Sequence, residues 1–344
     1  FGKEGDQFVL TYREKDKKEV DQLVNEKLTD KDDVIESNGY MNPYSNQLIE
    51  SKNIILRGAP GTGKSYLAKE IAADIISNGY FDNYTLLTDE QKKQVEFVQF
   101  HPSYDYSDFV EGLRPKVNND GSIGFELRDG IFKKFVARAK KNYINAISKQ
   151  EELKKYIFII DEINRGEISK IFGELFFSID PGYRGVAGEV STQYSNLHKN
   201  PDEKFFIPDN VYIIGTMNDI DRSVDSFDFA MRRRFRFIEI KADERLEMLD
   251  VLGEKKEEAI RRMTALNNEI AKVEDLNENY HIGGAYFLKL KTLNFDKLWS
   301  DYLKPLLQDY VRGMYDEDII MKKFERAYLN VLPKVGDGND GIQD

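Results

Sequence analysis

With 344 residues, 40% of them hydrophobic, the chain is long enough for two packed units and apolar enough to give each of them a core. It has no cysteine and only three widely spaced histidines, which excludes disulfides, thiolate metal sites and a cysteine nucleophile and indicates no histidine metal cluster. A formal net charge of −11 argues against a protein that binds nucleic acid with its whole surface, so any such contact must be local or supplied elsewhere.

Residues 1–45 are predicted to form an amino-terminal segment that packs on a main domain. Phe8 to Leu10 favour a short strand, and the apolar residues between Val20 and Leu28 have helical spacing. Because no apolar run is long enough to span a bilayer and no signal peptide is visible, we expect a cytoplasmic protein that does not enter a membrane. The chain begins at Phe1 rather than Met, which allows for a further domain upstream.

Residues 58–65, Gly-Ala-Pro-Gly-Thr-Gly-Lys-Ser, fit the phosphate-binding pattern G-x-x-x-x-G-K-[ST] at every fixed position. An apolar run precedes them and helical spacing follows, which is the order of strand, glycine-rich loop and helix that a phosphate cradle requires. Lys64 can reach the β- and γ-phosphates, and the Ser65 hydroxyl can bind Mg²⁺. The alternative is a glycine turn that matches by chance. We therefore expect the nucleotide to contact Gly58, Ala59, Pro60, Gly61, Thr62, Gly63, Lys64 and Ser65.

A hairpin is predicted inside a helical region that follows a second strand at residues 95–100. Asp120-Gly121 lies between two extended stretches within residues 116–128, and this is a hairpin signal. Helical spacing resumes after Gly130. The sequence leaves open whether the hairpin is a surface loop without a role or a segment that contacts a substrate or partner.

Three more strands complete the predicted sheet. Residues 156–160 and 211–214 are continuous apolar runs, as expected of strands buried on both faces, and residues 235–240 alternate. One amphipathic helix is predicted over residues 168–179, closed by Asp180-Pro181-Gly182. Five strands separated by helical segments indicate an α/β fold with a parallel sheet. The expected boundaries are 1–45 for the amino-terminal segment, 46–241 for the α/β domain, 242–332 for a small helical domain and 333–344 for a disordered tail.

Polar residues that follow two of these strands supply the rest of the chemistry of phosphoanhydride hydrolysis. Asp161 and Glu162 follow the strand at 156–160, where Asp161 can bind Mg²⁺ and Glu162 can orient and polarise the attacking water. Asn218, just beyond the strand at 211–214, can hydrogen-bond both the γ-phosphate and that water. The alternatives are an exposed acidic turn for the pair and an ordinary turn for Asn218.

Three consecutive arginines, Arg232, Arg233 and Arg234, precede the last strand. One interpretation is a solvated face or an anion patch. The other is an arginine finger, because in a ring of subunits such a position faces the nucleotide of the next subunit and can stabilise the charge that develops during hydrolysis. The spacing alone leaves both interpretations open.

Together these motifs resemble the AAA+ domain of McrB-type GTPases, the motors of modification-dependent restriction systems. The resemblance covers about residues 45–320, and its most specific part is Met-Asn-x-x-Asp-Arg-Ser at 217–223. The matching segments are 58–66, 98–115, 129–135, 159–176 and 215–240.

The resemblance implies an AAA+ P-loop domain with a five-stranded parallel sheet and a small C-terminal α-helical lid. It also implies hexameric rings that hydrolyse GTP in preference to ATP with Mg²⁺, slowly until an McrC-like nuclease subunit engages the ring. DNA would be bound by a separate N-terminal domain or by the ring pore and then translocated. The hairpin would be the insert in helix 2 that is shared by the wider clade of McrB, MoxR and dynein.

Several residue roles follow from the same resemblance. Tyr66 would extend the nucleotide site, Asn218 would be the sensor, and Asp221 and Arg222 would belong to the signature on which the partner acts. Among the three arginines, Arg233 would be the finger in trans, with Arg234 supporting it and Arg232 serving the structure.

The sequence leaves two other classes of function open. One is an ATP-dependent, MoxR-like chaperone that remodels proteins, which the shared hairpin insert and the acidic surface allow. The other is a nucleotide-gated scaffold that barely turns over, although the intact Glu162, Asn218 and arginines argue against it. A nuclease site within this chain is not indicated, because no carboxylate–lysine core is visible outside the sheet.

Overall fold

A computed structural model describes the backbone of residues 2–4 and 7–9 and the chain from 39 to 220 and from 229 to 330. Five parallel strands form its central sheet, and two antiparallel pairs lie apart from that sheet. The strands are β1 (Gly2–Glu4), β2 (Gln7–Val9), β3 (Asn53–Arg57), β4 (Val95–Gln99), β5 (Glu111–Val117), β6 (Ile123–Asp129), β7 (Tyr156–Asp161), β8 (Val211–Thr216) and β9 (Arg236–Glu239).

Helices cover both faces of the sheet and build a separate unit after β9. The α-helices are α1 (Ser45–Ser51), α2 (Lys64–Ile76), α3 (Asp89–Lys92), α4 (Tyr106–Phe109), α5 (Ile131–Ile147), α6 (Ile168–Phe172), α7 (Leu175–Ser178), α8 (Phe229–Arg232), α9 (Lys256–Ile270), α10 (Phe295–Leu298), α11 (Lys304–Val311) and α12 (Glu317–Leu329). Segments of 3₁₀ helix occupy Tyr84–Leu86, Ile163–Arg165, Pro181–Tyr183, Gly185–Gly188, Ser195–Leu197, Leu246–Lys255, Glu278–Tyr280 and Gly284–Lys291, and Trp299–Leu303 forms a π-helical turn.

The predicted parallel sheet is confirmed, with the strand order β4-β7-β8-β3-β9. Because successive side chains of a strand point to opposite faces, Ile55 of β3 joins one core while Ile54 and Leu56 join the other. The first core packs against α4 to α7, and the second packs against α1 and α2. A sheet buried on both faces explains why the strands at 156–160 and 211–214 are continuous apolar runs.

The predicted hairpin is β5–β6, and it extends over residues 111–129 rather than 116–128. It separates two helices in sequence that pack against each other in space. The rings of Phe109 in α4 and Phe132 in α5 stack with their centroids 4.7 Å apart. The Gly130 N–H donates to the Val110 carbonyl at 2.6 Å and closes the base of the hairpin. The hairpin is therefore an insert in a helical layer, as the sequence indicated.

The single helix predicted over residues 168–179 is wrong. The chain forms α6 and α7, which are separated at Gly173, where φ is +52°. The apolar period continues across the break, so Ile171, Phe172 and Leu175 are all buried. Hydrophobic spacing alone cannot detect such a break because both helices bury the same face.

The unit after β9 is helical, as predicted, with its own core. That core contains Leu249, Met263, Leu266, Ile270, Trp299, Leu303, Leu307 and Val311. The helix expected within residues 20–28 and the tail at 333–344 lie outside the described residues. In the part of the chain that the structure covers, no helix is long and apolar enough to cross a bilayer.

Candidate active site

The glycine-rich loop connects the carboxyl end of β3 to the amino end of α2. Gly61 and Gly63 have φ of +78° and +83°, values that L side chains rarely adopt. Lys64 is buried, and its ammonium donates to the carbonyls of Gly58 at 3.0 Å and Ala59 at 2.7 Å. The loop thus presents the helix amino end and a held cation on the same side, which is an arrangement that attracts phosphate.

Asp161, at the end of β7, collects two hydroxyl groups beside the loop. Its Oδ1 accepts from the Ser65 hydroxyl at 2.5 Å and from the Thr216 hydroxyl at 2.6 Å. Carboxylate and hydroxyl oxygens are the kind of metal ligand that Mg²⁺ prefers. No group of three or more His, Cys, Asp or Glu side chains is placed to hold a metal within the described ranges, so an ion here would rely on nucleotide phosphates and water for further ligands. The residues fit Mg²⁺ on those terms.

Glu162 and Asn218 meet across neighbouring strands β7 and β8. The Asn218 amide nitrogen donates to Glu162 Oε1 at 2.9 Å, and Arg165 Nε lies 3.2 Å from Oε2. Glu162 has a left-handed backbone with φ of +51°, which is uncommon for a residue with a side chain and is a form of strain found at functional sites. Its N–H donates to the Thr216 hydroxyl at 3.2 Å, which helps to hold that conformation. Carboxylate and amide are thereby placed together at the carboxyl edge of the sheet.

The helical unit after β9 contacts the glycine-rich loop directly. The N–H groups of Gly283 and Ala285 donate to the carbonyls of Pro60 at 3.0 Å and Gly61 at 2.9 Å. Nearby, Arg245 pairs with Glu70 of α2 at 2.6 Å, with both side chains largely buried. The helical unit therefore lies on the phosphate loop as a lid.

Arg233 and Arg234 lie at the opposite edge of the sheet. The Arg234 carbonyl accepts from the Asn53 side chain at 2.9 Å, and Asn53 is the first residue of β3, whereas the phosphate loop follows the last. At about 3.3 Å per residue, the strand separates the two edges by about 16 Å. The two guanidinium groups differ: Arg233 is 64% exposed and lies 3.4 Å from Asp180, while Arg234 is buried against the ring of Phe176.

The burial of Arg234 assigns it a different task from that of Arg233. Its guanidinium lies 4.3 Å from the Phe176 ring centroid and 3.9 Å from Asp180, inside its own subunit. Arg234 can therefore support Arg233 only by fixing the backbone next to it. Arg232 is exposed and lies over the ring of Phe237 at 5.7 Å.

The remaining predicted residues are Tyr66, Asp221 and Arg222. Tyr66 lies in the first turn of α2 and is 59% exposed, so its ring is available beside the loop. Asp221 and Arg222 lie outside the described residues. The sequence interpretation missed Thr216, Asn164, whose amide approaches the Asn218 carbonyl at 3.5 Å, and the lid residues Gly283 and Ala285. Thr216 could have been found because it ends a buried strand next to Met217-Asn218.

The β5–β6 hairpin has one apolar face. The register pairs Leu113 with Leu127, Pro115 with Phe125 and Val117 with Ile123, all on the same side. Val117, Ile123 and Phe125 are each at least 70% exposed. Such a face distinguishes the hairpin from an ordinary polar surface loop.

The root of this hairpin is fixed by a buried charge cluster. Glu111 is fully buried and accepts from Lys133 at 2.5 Å and from His198 at 2.7 Å. Although burial opposes ionisation, these hydrogen bonds lower the pKa of Glu111 below its ordinary value. The hairpin therefore projects from a rigid base.

The chain is similar to known protein families. A family model described as an AAA domain of the dynein-related subfamily matches residues 53–235, and one described as the alpha-helical lid domain of McrB matches residues 258–318. Both regions are those that the structure shows as sheet domain and lid.

Two curated proteins are similar to the chain. The type IV methyl-directed restriction enzyme EcoKMcrB subunit of Escherichia coli strain K12 is 39% identical over 298 residues, which cover 82% of this chain and 58% of the relative. The type II restriction enzyme BsuMI component YdiS of Bacillus subtilis strain 168 is 29% identical over 215 residues, which cover 54% of this chain and 56% of the relative. The chain thus spans a little over half the length of the curated relatives it matches.

Proposed function

The chain belongs to the dynein-related subfamily of AAA domains and is of the McrB type, and from this premise we propose that it is the GTP-hydrolysing ring motor of a restriction system. Such a motor would move DNA for cleavage by an McrC-like nuclease subunit. The observation that carries the proposal is the cluster of Ser65, Asp161, Thr216, Glu162 and Asn218 beside the phosphate loop, with exposed Arg233 at the far edge.

The cluster supplies what hydrolysis of a phosphoanhydride needs. Lys64 and the loop N–H groups bind the phosphates, and Ser65 and Asp161 would hold Mg²⁺, which neutralises charge on the β- and γ-oxygens when bound. Glu162 orients and polarises the attacking water, and Asn218 positions the Glu162 carboxylate through its hydrogen bond. Thr216 fixes both acidic residues, because its hydroxyl bonds the Asp161 carboxylate and the Glu162 backbone.

A ring is favoured because Arg233 lies far from the phosphate loop of its own subunit. Arg233 is separated from the phosphate loop of its own subunit by the length of β3, about 16 Å. Its guanidinium is exposed and held at Asp180, so it is available to a neighbouring subunit. An arginine supplied in trans stabilises the charge that develops on the γ-phosphoryl group and couples turnover to assembly.

Two parts of the proposal rest on similarity rather than on the site. GTP is the nucleotide that the resemblance to McrB-type GTPases implies, whereas the loop residues would bind the phosphates, which GTP and ATP share. Both relatives are components of restriction enzymes, which supports a role in DNA restriction and a nuclease partner. DNA recognition is assigned to a separate N-terminal domain or to the ring pore.

Nucleotide-dependent assembly tests the ring directly. With GTP and Mg²⁺ we expect six copies of 39.9 kDa, a mass of about 240 kDa, and monomers without nucleotide. Light scattering coupled to size exclusion measures the mass of both states. Lys64→Ala serves as the control, because it lacks the lysine that binds the phosphates and should stay monomeric. A chain that binds GTP yet remains a monomer at high protein concentration would contradict the ring.

A further inference from the structure

Asp219 is a buried acidic residue beside the site to which no role has been given. It follows Asn218 directly, and its side chain is 6% exposed. Its Oδ2 receives no hydrogen bond from any residue that the structure describes, and it forms an ion pair with Arg57, whose Nη1 lies at 3.8 Å. A buried carboxylate is costly unless it is both paired and hydrogen-bonded, so an ion pair without a hydrogen bond to Oδ2 needs an explanation.

Arg57 links three neighbouring strands at the edge where the phosphate loop begins. It is the last residue of β3, and its other guanidinium nitrogen, Nη2, lies 3.3 Å from Glu239 at the end of β9. Asp219 follows β8, so the series Asp219–Arg57–Glu239 spans β8, β3 and β9 in their spatial order. Arg57 is directly followed by Gly58, the first residue of the loop.

The backbone of Asp219 is tied to the same point. Its N–H donates to the Gly58 carbonyl at 3.4 Å, and that carbonyl also accepts from the Lys64 ammonium at 3.0 Å. The segment that carries Asn218 is thus joined to the phosphate-binding lysine through one shared acceptor. Burial raises the pKa of Asp219, and the charges of Arg57 and Lys64 oppose this effect.

We propose that Asp219 is a positioning residue that sets the distance between the Asn218–Glu162 pair and the phosphate loop, acting through Arg57 and Gly58. The inference rests on the proposed hydrolysis at this site but not on GTP preference or on a restriction partner. It places the role of Asp219 in turnover, since the loop itself is held by other contacts: the lid bonds from Gly283 and Ala285, and the Lys64 bonds.

The test is a comparison of Asp219→Asn, Arg57→Gln and the double variant, each measured with GTP and with ATP. Because a misplacement of about 1 Å at a reacting centre costs up to about 10²-fold, each single variant should lower kcat about 10-fold while the nucleotide Kd stays unchanged. The double variant should be no slower than the slower single variant, since each single variant already removes the contact between Asp219 and Arg57. Asp219→Glu should recover part of the rate.

Arg236→Gln is the matched control. It removes an arginine–glutamate pair at the start of β9, where Nη1 lies 3.0 Å from Glu50, on the same sheet but at the other edge. Melting temperatures report folding, and if Asp219→Asn does not fold, Arg57→Gln tests the link from its 40% exposed side. Weaker nucleotide binding with an unchanged kcat would overturn the proposal. Single variants that lower kcat no more than Arg236→Gln does would overturn it as well. If the variants lose turnover with ATP and the unchanged protein shows no preference for GTP, the proposed function is contradicted and the role of Asp219 is still supported.

Discussion

Glu162→Gln is expected to lower nucleotide turnover by about 10²–10³-fold and to leave nucleotide binding unchanged. The amide keeps the size of the side chain and can still meet Asn218, whose amide lies 2.9 Å from Glu162 Oε1. It loses the negative charge that polarises the attacking water. Phosphate release at saturating nucleotide measures the rate, and equilibrium titration measures the binding.

The matched control for this change is Glu167→Gln. Glu167 is 66% exposed and pairs with Lys170, so the same chemical substitution removes a carboxylate on the same stretch of chain but outside the Glu162–Asn218 pair. It should turn over at the rate of the unchanged protein, because exposed pairs contribute little. If Glu162→Gln hydrolyses nucleotide at that rate too, Glu162 does not position the water.

Arg233→Ala is expected to lower turnover by about 10³-fold or more, the range found for arginine fingers, again with unchanged nucleotide binding. The reason is that the developing charge on the γ-phosphoryl group would lose its cation, while the loop of the same subunit stays intact. Arg232→Ala is the control, since Arg232 is the adjacent exposed arginine and its guanidinium contacts the Phe237 ring.

A mixture of two inactive variants separates a finger in trans from one in cis. Subunits with Glu162→Gln keep Arg233, and subunits with Arg233→Ala keep Glu162, so a mixed ring contains complete sites at the contacts between them. Turnover should therefore rise well above that of either variant when they are mixed. Equal, unrescued rates in the mixture would mean that Arg233 serves its own subunit or has no catalytic role.

The strands and their end residues were predictable because the signals are local. An apolar run followed by a charged or amide residue marks a buried strand and the edge where it ends, which located Asp161, Glu162 and Asn218. The loop pattern located Lys64 and Ser65 in the same way. Parallel strands bring these ends together, and the structure shows contacts such as Ser65 with Asp161 at 2.5 Å.

What escaped prediction depends on contacts between distant parts of the chain. The lid meets the loop through the backbone N–H groups of Gly283 and Ala285, which carry no side-chain signature. Asp219 looks like a turn residue, and its burial follows only from the packing of three strands around Arg57. The root of the hairpin is fixed by His198, which is 87 residues from Glu111.

Equilibrium binding of GTP and ATP, measured side by side with Mg²⁺ and with Lys64→Ala as control, tests the account most directly. Binding needs no partner, so a slow intrinsic rate cannot obscure it. We expect GTP to bind about tenfold more tightly than ATP or better, the effect of one or two hydrogen bonds to the base, and Lys64→Ala to lose both nucleotides. Equal or tighter binding of ATP would contradict a GTP-driven motor and favour an ATP-dependent remodelling chaperone.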